Sequence, residues 1–172
     1  MNPRNEAVKY VVKACVVAVL FYAGFSFLPV ERWTSEFTAD VLTSCGIPAD
    51  SYEQEGRIYL EYLQISMDCT ALEVMAIFLG LTLVVNSPLR RRVYFSLFCT
   101  AAVFFSNIGR ISIVYYLLEK GIPWWLAHDL FSGGLSIGAG ILFLALTERY
   151  LPQINAHLYT LLDAAESLVR TR

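Results

Sequence analysis

The sequence predicts an all-α, polytopic membrane protein with about four transmembrane helices, one extracytoplasmic loop region and a C-terminal amphipathic helix. Three observations predict it. Of 172 residues, 56% are hydrophobic, a composition of membrane proteins, and the length suits one domain of a few spans. Four apolar runs are long enough, or nearly so, to cross a hydrocarbon core that takes ~17–25 residues. The charges are also segregated. Residues 31–68 carry Glu31, Glu36, Asp40, Asp50, Glu53, Glu55, Glu61 and Asp68 against Arg32 and Arg57, whereas Arg90, Arg91 and Arg92 stand together and Arg4, Lys9 and Lys13 precede or enter the first run. Basic segments stay in the cytoplasm, so the N-terminus and the 90–92 turn are expected inside and 31–68 outside. The net charge of −2 gives no sign of a nucleic-acid partner, and the arginine triplet reads as a topology signal.

The whole chain, 1–172, reads as a single membrane-embedded domain. The first span covers 11–30. A signal peptide is the competing reading of a basic start before an apolar run, but the run is long and no A-x-A site follows it. In the extracytoplasmic segment 31–68, Phe37, Val41, Leu42 and Cys45 recur at helical spacing until Gly46 and Pro48 stop the pattern, which predicts a short amphipathic helix. Glu55-Gly56 is a turn signal, and Arg57–Ser66 is rich in β-branched and aromatic residues, as an extended or hairpin strand would be, with a helix the open alternative. The second span, 69–85, returns inward with Glu73 buried near its start. Asn86-Ser87-Pro88 ends it. The third span, 93–118, runs outward to a turn at Glu119–Pro123. Trp124 and Trp125 follow at the level of an aromatic belt. The fourth span, 128–147, carries Gly133, Gly134, Ser136, Gly138 and Gly140, which permit close approach to a neighbouring helix. In the cytoplasmic tail 148–172, Leu151, Ile154, Leu158, Leu161, Leu162, Ala165 and Leu168 form one apolar stripe, the pattern of an amphipathic helix on the membrane face.

The third span holds one charge, Arg110. An intramembrane guanidinium is unfavourable by at least ~2.5–3.5 kcal/mol, so it calls for a purpose. It lies 17 residues after Val93, roughly 26 Å along the axis, just beneath the outer boundary of a ~30 Å core. The topology puts Cys69 and His128 at the same level, one opening the second span and the other the fourth. A cysteine nucleophile needs its thiolate, which a nearby cation stabilises. A histidine moves the protons of acyl transfer, and an arginine supplies donors to the oxyanion in a water-poor site. Asp129, Asn107 and Thr70 adjoin the three and can orient them. Two other readings remain open: Arg110 pairs with Glu73 as a structural ion pair inside a non-catalytic membrane subunit, or Cys45 and Cys69 form a disulfide in a thiol–disulfide protein. No cofactor is implied, because no metal-ligand cluster falls on one face.

Asp68-Cys69-Thr70-Ala71-Leu72 at the outer start of a span, Asn107-Ile108-Gly109-Arg110-Ile111 within a span and Ala127-His128-Asp129 after a short outer turn together resemble the exosortase/archaeosortase membrane transpeptidases. The resemblance covers roughly residues 55–145. Each motif alone is weak, and the ordered set on one membrane face is specific. The resemblance implies Cys69, Arg110 and His128 as catalytic residues. It implies substrates that are exported proteins ending in a short motif, a membrane helix and a basic tail. It further implies cleavage outside the cell through a thioester on the cysteine, with transfer to a lipid acceptor. The four predicted spans are fewer than many members of that family have.

Overall fold

The computed structural model describes residues 3–170, with side chains through Ser167. Leu168 of the predicted stripe and the last two residues of the predicted tail therefore lie outside the described side chains or backbone. The chain is 78% helical and is an all-α membrane protein in its architecture, with one small sheet on top. Three of its helical units are long and apolar enough to cross a membrane: Pro3–Phe25, Leu89–Glu119 and Trp125–Tyr150.

Helix α1 (Pro3–Phe25) starts earlier than the sequence indicated and ends sooner. Ser26-Phe27-Leu28 turns the chain, and Pro29 cannot continue a helix because it lacks an N–H. Val30 therefore begins α2 (Val30–Ser44) instead of closing the first span. Helix α2 buries Thr34, Ser35, Thr38, Ala39 and Leu42, while Trp33, Phe37 and Val41 are exposed. Of the apolar positions picked out by spacing, only Leu42 is inward, because the inner face of α2 meets a sheet and takes small residues. Phe37 instead packs edge-on against Phe104, with ring centroids 5.8 Å apart.

The extended reading of 57–66 is realised as a three-stranded antiparallel meander, β1 (Ser51–Gln54), β2 (Arg57–Leu60) and β3 (Leu63–Ile65). The turn between β1 and β2 is Glu55-Gly56, with both residues at positive φ, as two-residue hairpins require. Ser35 Oγ donates to the Tyr59 carbonyl at 3.1 Å, and Ser51 Oγ donates to Ser35 Oγ at 2.7 Å, fastening the sheet to α2. Leu42, Leu60, Ile65, Ile111 and Tyr115 close an apolar cluster between this cap and the C-terminal half of the second long helix, Leu89–Glu119. Tyr62 stacks on Tyr115 at 5.7 Å, and burial, with a hydrogen bond to Glu119, pushes its hydroxyl up to about 12.

A short 3₁₀ turn (Met67–Thr70) leads into α3 (Leu72–Val84). At 13 residues, α3 is roughly 20 Å long and does not by itself cross a ~30 Å core. Three helices, and not the expected four or so, are thus long enough to span, with α3 as a shorter element packed between them. It sits mainly against α1 and against α4 (Leu89–Glu119). A Cβ added at Gly80 would run into the Ala14 carbonyl oxygen and lie 3.1 Å from the Ala18 Cβ, so this crossing is built on small residues. Thr82 and Ser96 hydroxyls bond at 2.6 Å between α3 and α4. Arg92 donates to the Leu83 and Val85 carbonyls at 2.7 and 3.3 Å. It thereby satisfies carbonyls that the end of α3 leaves without helical partners, a role beyond marking topology.

Trp125–Ser132 winds as a π-helix and continues into α5 (Gly133–Tyr150). The close approach expected at Gly133, Gly134, Gly138 and Gly140 is not made, since a Cβ at any of them would meet nothing within 4 Å. Helix α5 touches α4 only sparsely and packs on α6 (Pro152–Arg170) instead. The predicted amphipathic tail is this helix. Leu151 and Ile154 are fully buried with Tyr10, Val85, Phe95 and Phe143, so the tail completes the inner end of the bundle as well as lining it. His157 stacks on Tyr10 with centroids 4.5 Å apart, a packing role.

Candidate active site

The 3₁₀ turn presents Cys69 at the top of α3. The Cys69 N–H donates to the Ser66 carbonyl at 2.9 Å. Thr70 is fully buried. Its hydroxyl donates to the Met67 carbonyl at 2.7 Å and accepts from the Leu72 N–H at 3.3 Å. Thr70 therefore closes the turn and caps α3 without facing any reacting group. Ala71 follows with φ +56°, a left-handed conformation that is unfavourable by ~1–2 kcal/mol for a residue with a Cβ. Such local strain is characteristic of functional turns. It turns the chain sharply from Cys69 into the helix.

The turn is held to α4 by one long-range bond. Asn107 Nδ2 donates to the Cys69 carbonyl at 2.7 Å, and Asn107 is itself buried. The Cys69 sulfur is half-buried and free, with Ser66 Oγ 3.7 Å away. The spacing of motifs pointed to Cys69 but not to Ser66, because only the 3₁₀ turn brings position i−3 beside the sulfur. One helical turn beyond Asn107, Arg110 is half-buried and lines a cavity of ≈ 340 Å³ between α3, α4 and α5. Ala71 and Asn107 line the same cavity, so the Cys69 turn and Arg110 share a wall.

Glu73 is exposed, contrary to the buried position expected from the sequence. Among the described residues it forms no ion pair with Arg110. The disulfide reading is not realised either, since Cys45 and Cys69 are both free thiols. His128 lies in the π-helix, with its Nδ1 2.9 Å from Asp129 Oδ1 and its ring stacked on Trp124 at 4.6 Å. It is partly exposed and makes no hydrogen bond to Cys69 or Arg110. The structure thus joins Cys69, Asn107 and Arg110 through one hydrogen bond and one cavity, and leaves His128 with its own pair of neighbours. Among the described residues, no three His, Cys, Asp or Glu side chains cluster as metal ligands would.

A model of transmembrane exosortases matches residues 6–148, from the first turns of α1 to the end of α5. The chain belongs to the transmembrane exosortase family. Membership extends over nearly all of the bundle and includes the Cys69 turn, the Arg110 helix and the His128 segment. It establishes a multi-pass membrane protein of the exosortase kind, a class of membrane transpeptidase. No curated protein and no solved structure matches the chain. An exosortase bundle here means three long helices, a short α3 that carries the cysteine turn at its head, and a sheet-and-helix cap above it.

Proposed function

We propose that this exosortase is a cysteine transpeptidase acting at the extracytoplasmic face, with Cys69 as nucleophile, Arg110 as electrostatic stabiliser and His128 as acid and base. The observation that carries the reading is the strained turn at Cys69 tied by Asn107 to the helix turn that bears Arg110. Asn107 holds the half-buried Cys69 turn against the helix that bears Arg110, and Ala71 of that turn lines the same cavity as Arg110. Asn107 lies 14 residues beyond Val93, roughly 21 Å along α4. If Val93 marks the inner boundary of a ~30 Å core, the reaction takes place just below the outer boundary. There water is scarce and electrostatic stabilisation is strong.

The steps balance as follows. The Cys69 thiolate adds to the carbonyl carbon of the scissile peptide, and the oxyanion is met by Arg110. His128, protonated, gives its proton to the departing amine, so that the C–N bond breaks and a thioester remains. Neutral His128 then takes the proton of the incoming acceptor nucleophile, which displaces the thiolate and leaves the cleaved protein joined to the acceptor. Asp129, bonded to His128 Nδ1, sets the ring orientation. In the unliganded chain His128 faces Trp124 and Asp129, and catalytic hydrogen bonds commonly tighten only in the substrate complex. The substrates are exported proteins with a C-terminal motif, a membrane helix and a basic tail, and a membrane lipid is the acceptor.

The test is to incubate the purified protein in nanodiscs with a candidate sorting-signal protein and quench within one turnover. A covalent adduct on Cys69, absent from Cys69→Ala, supports the reading. A parental rate of cleavage in Cys69→Ala would remove it.

A further inference from the structure

The cavity between α3, α4 and α5 is apolar over most of its length and polar at one end. Phe78 and Phe143 stack at 3.8 Å between α3 and α5 and belong to the inner apolar cluster, so they close its lower end. Arg110 lies at the upper end with Ser106 one turn below it on α4, and neither side chain has a hydrogen-bond or ion-pair partner within the described chain. From Phe98 to Arg110 the cavity follows 12 residues of α4, roughly 18 Å. That is longer than one leaflet, half of a ~30 Å hydrocarbon core, and shorter than the whole core. The α5 side is unobstructed, since Gly140 faces open space.

The geometry points to a binding site for one acyl chain of an outer-leaflet anionic phospholipid, with the phosphate on Arg110 and Ser106. The length argues for a lipid chain over a substrate helix. A membrane helix must run the full core, with a diameter of ~10–12 Å, whereas the cavity ends near the level of Phe98, short of the inner boundary marked by Val93. The charge argues for phosphate. A planar guanidinium binds phosphate through paired N–H donors, and an intramembrane cation without a protein partner seeks an anion. With the phosphate at Arg110, the head group sits beside the Cys69 turn, because Asn107 bonds to the Cys69 carbonyl. A head-group nucleophile would then lie within reach of the thioester. This acceptor role rests on the transpeptidase reading. The lipid site itself does not.

The experiment uses the full chain in nanodiscs containing phosphatidylglycerol, read in two ways. Native mass spectrometry after detergent release counts retained lipid, with diacylglycerol as the phosphate-free control. Single-turnover kinetics with a sorting-signal protein measure Cys69 adduct formation and its partition between water and lipid. The parental protein should retain phosphatidylglycerol and not diacylglycerol. Arg110→Gln should weaken retention at least about tenfold, the loss of a charge-assisted hydrogen bond. Gly140→Leu and Ala139→Trp, which fill the cavity from its open side, should abolish retention. Both should still form the Cys69 adduct, which then partitions to water. Equal retention in the parental and filled proteins would overturn the proposal. So would loss of adduct formation in folded Gly140→Leu and Ala139→Trp, because the cavity would then be holding the substrate. Retention that depends on the cavity, with no Cys69 adduct even in the parental protein, would uphold the lipid site and sink the transpeptidase reading.

Discussion

The Cys69 thiol is positioned through its backbone, and its sulfur has Ser66 Oγ as its hydrogen-bond neighbour at 3.7 Å. Its N–H goes to Ser66, its carbonyl takes the Asn107 amide, and Ala71 bends the chain away. Cys69→Ala should therefore fold normally and form no adduct, whereas Cys15→Ala, Cys45→Ala and Cys99→Ala should retain activity, as read by adduct yield and thermal unfolding. Glu73 and Arg110 separate the catalytic from the structural reading of the intramembrane charge. Because the two are not paired, Glu73→Gln should leave the melting temperature and the rate close to parental. Arg110→Lys should insert normally yet lose most of its single-turnover adduct, since lysine keeps the charge but not the fork of donors. A Lys variant at parental rate would show that charge alone suffices. His128→Ala should slow turnover by roughly 10²–10⁴-fold and flatten the limb of the pH–rate profile that general acid–base catalysis creates.

Among the elements, the α1–α3 crossing and the end of α3 hold the cysteine turn at its depth. Gly80 is in direct backbone contact with α1 at Ala14, so a larger side chain must push the helices apart. Gly80→Val should destabilise the protein by at least ~1–3 kcal/mol, the usual range for overpacking, and lower its melting temperature in detergent. A Val variant with parental stability would mean that α1 and α3 are not in contact. Ala71→Gly should act in the opposite sense, relieving up to ~1 kcal/mol of left-handed strain while loosening the turn. The expected result is a higher melting temperature with a lower adduct yield. The π-helix at His128 is the other unusual element. Wide turns of this kind often occur at functional sites, and apolar periodicity is blind to them.

At the scale of the whole molecule, two apolar clusters mark the two ends of the bundle. The inner one joins Tyr10, Val85, Phe95, Phe143, Leu151 and Ile154, and the outer one joins the α2–sheet cap to Ile111 and Tyr115. Arg90, Arg91 and Arg92 lie at the first end and the acidic 31–68 segment at the second, so the charge bias predicts that the first end faces the cytoplasm. An impermeant thiol reagent on intact cells should label a cysteine introduced at Glu53 and not one at Leu89. The reverse pattern would put Cys69 on the cytoplasmic side and end the proposed mechanism. Trp33, Phe37 and Val41 are exposed on α2 and are expected to face lipid beside Phe104. A cysteine at Phe37 should therefore react more slowly than one at Glu53.

The sequence by itself determined the helical membrane class, the position of the long apolar helices and the tail helix, and it favoured strand over helix at 57–66. Each of these follows from local composition and period, since a lipid-facing backbone must bond to itself and a strand must alternate. It also picked out Cys69, Arg110 and His128, because their chemistry stands out against apolar surroundings. Only the tertiary structure decided which residues meet. Sequence spacing could not say that α3 stops at 13 residues, that Asn107 grips the Cys69 carbonyl, or that Arg92 satisfies the end of α3. Nor could it say that the close crossing is at Gly80, with the glycines of α5 left open. The alternative Glu73–Arg110 pair depended on how α3 is rotated against α4, and that rotation is set by side chains packing across the interface. Helical period fixes the relative angles of side chains on one helix, but only contact with a second helix decides which of them faces it.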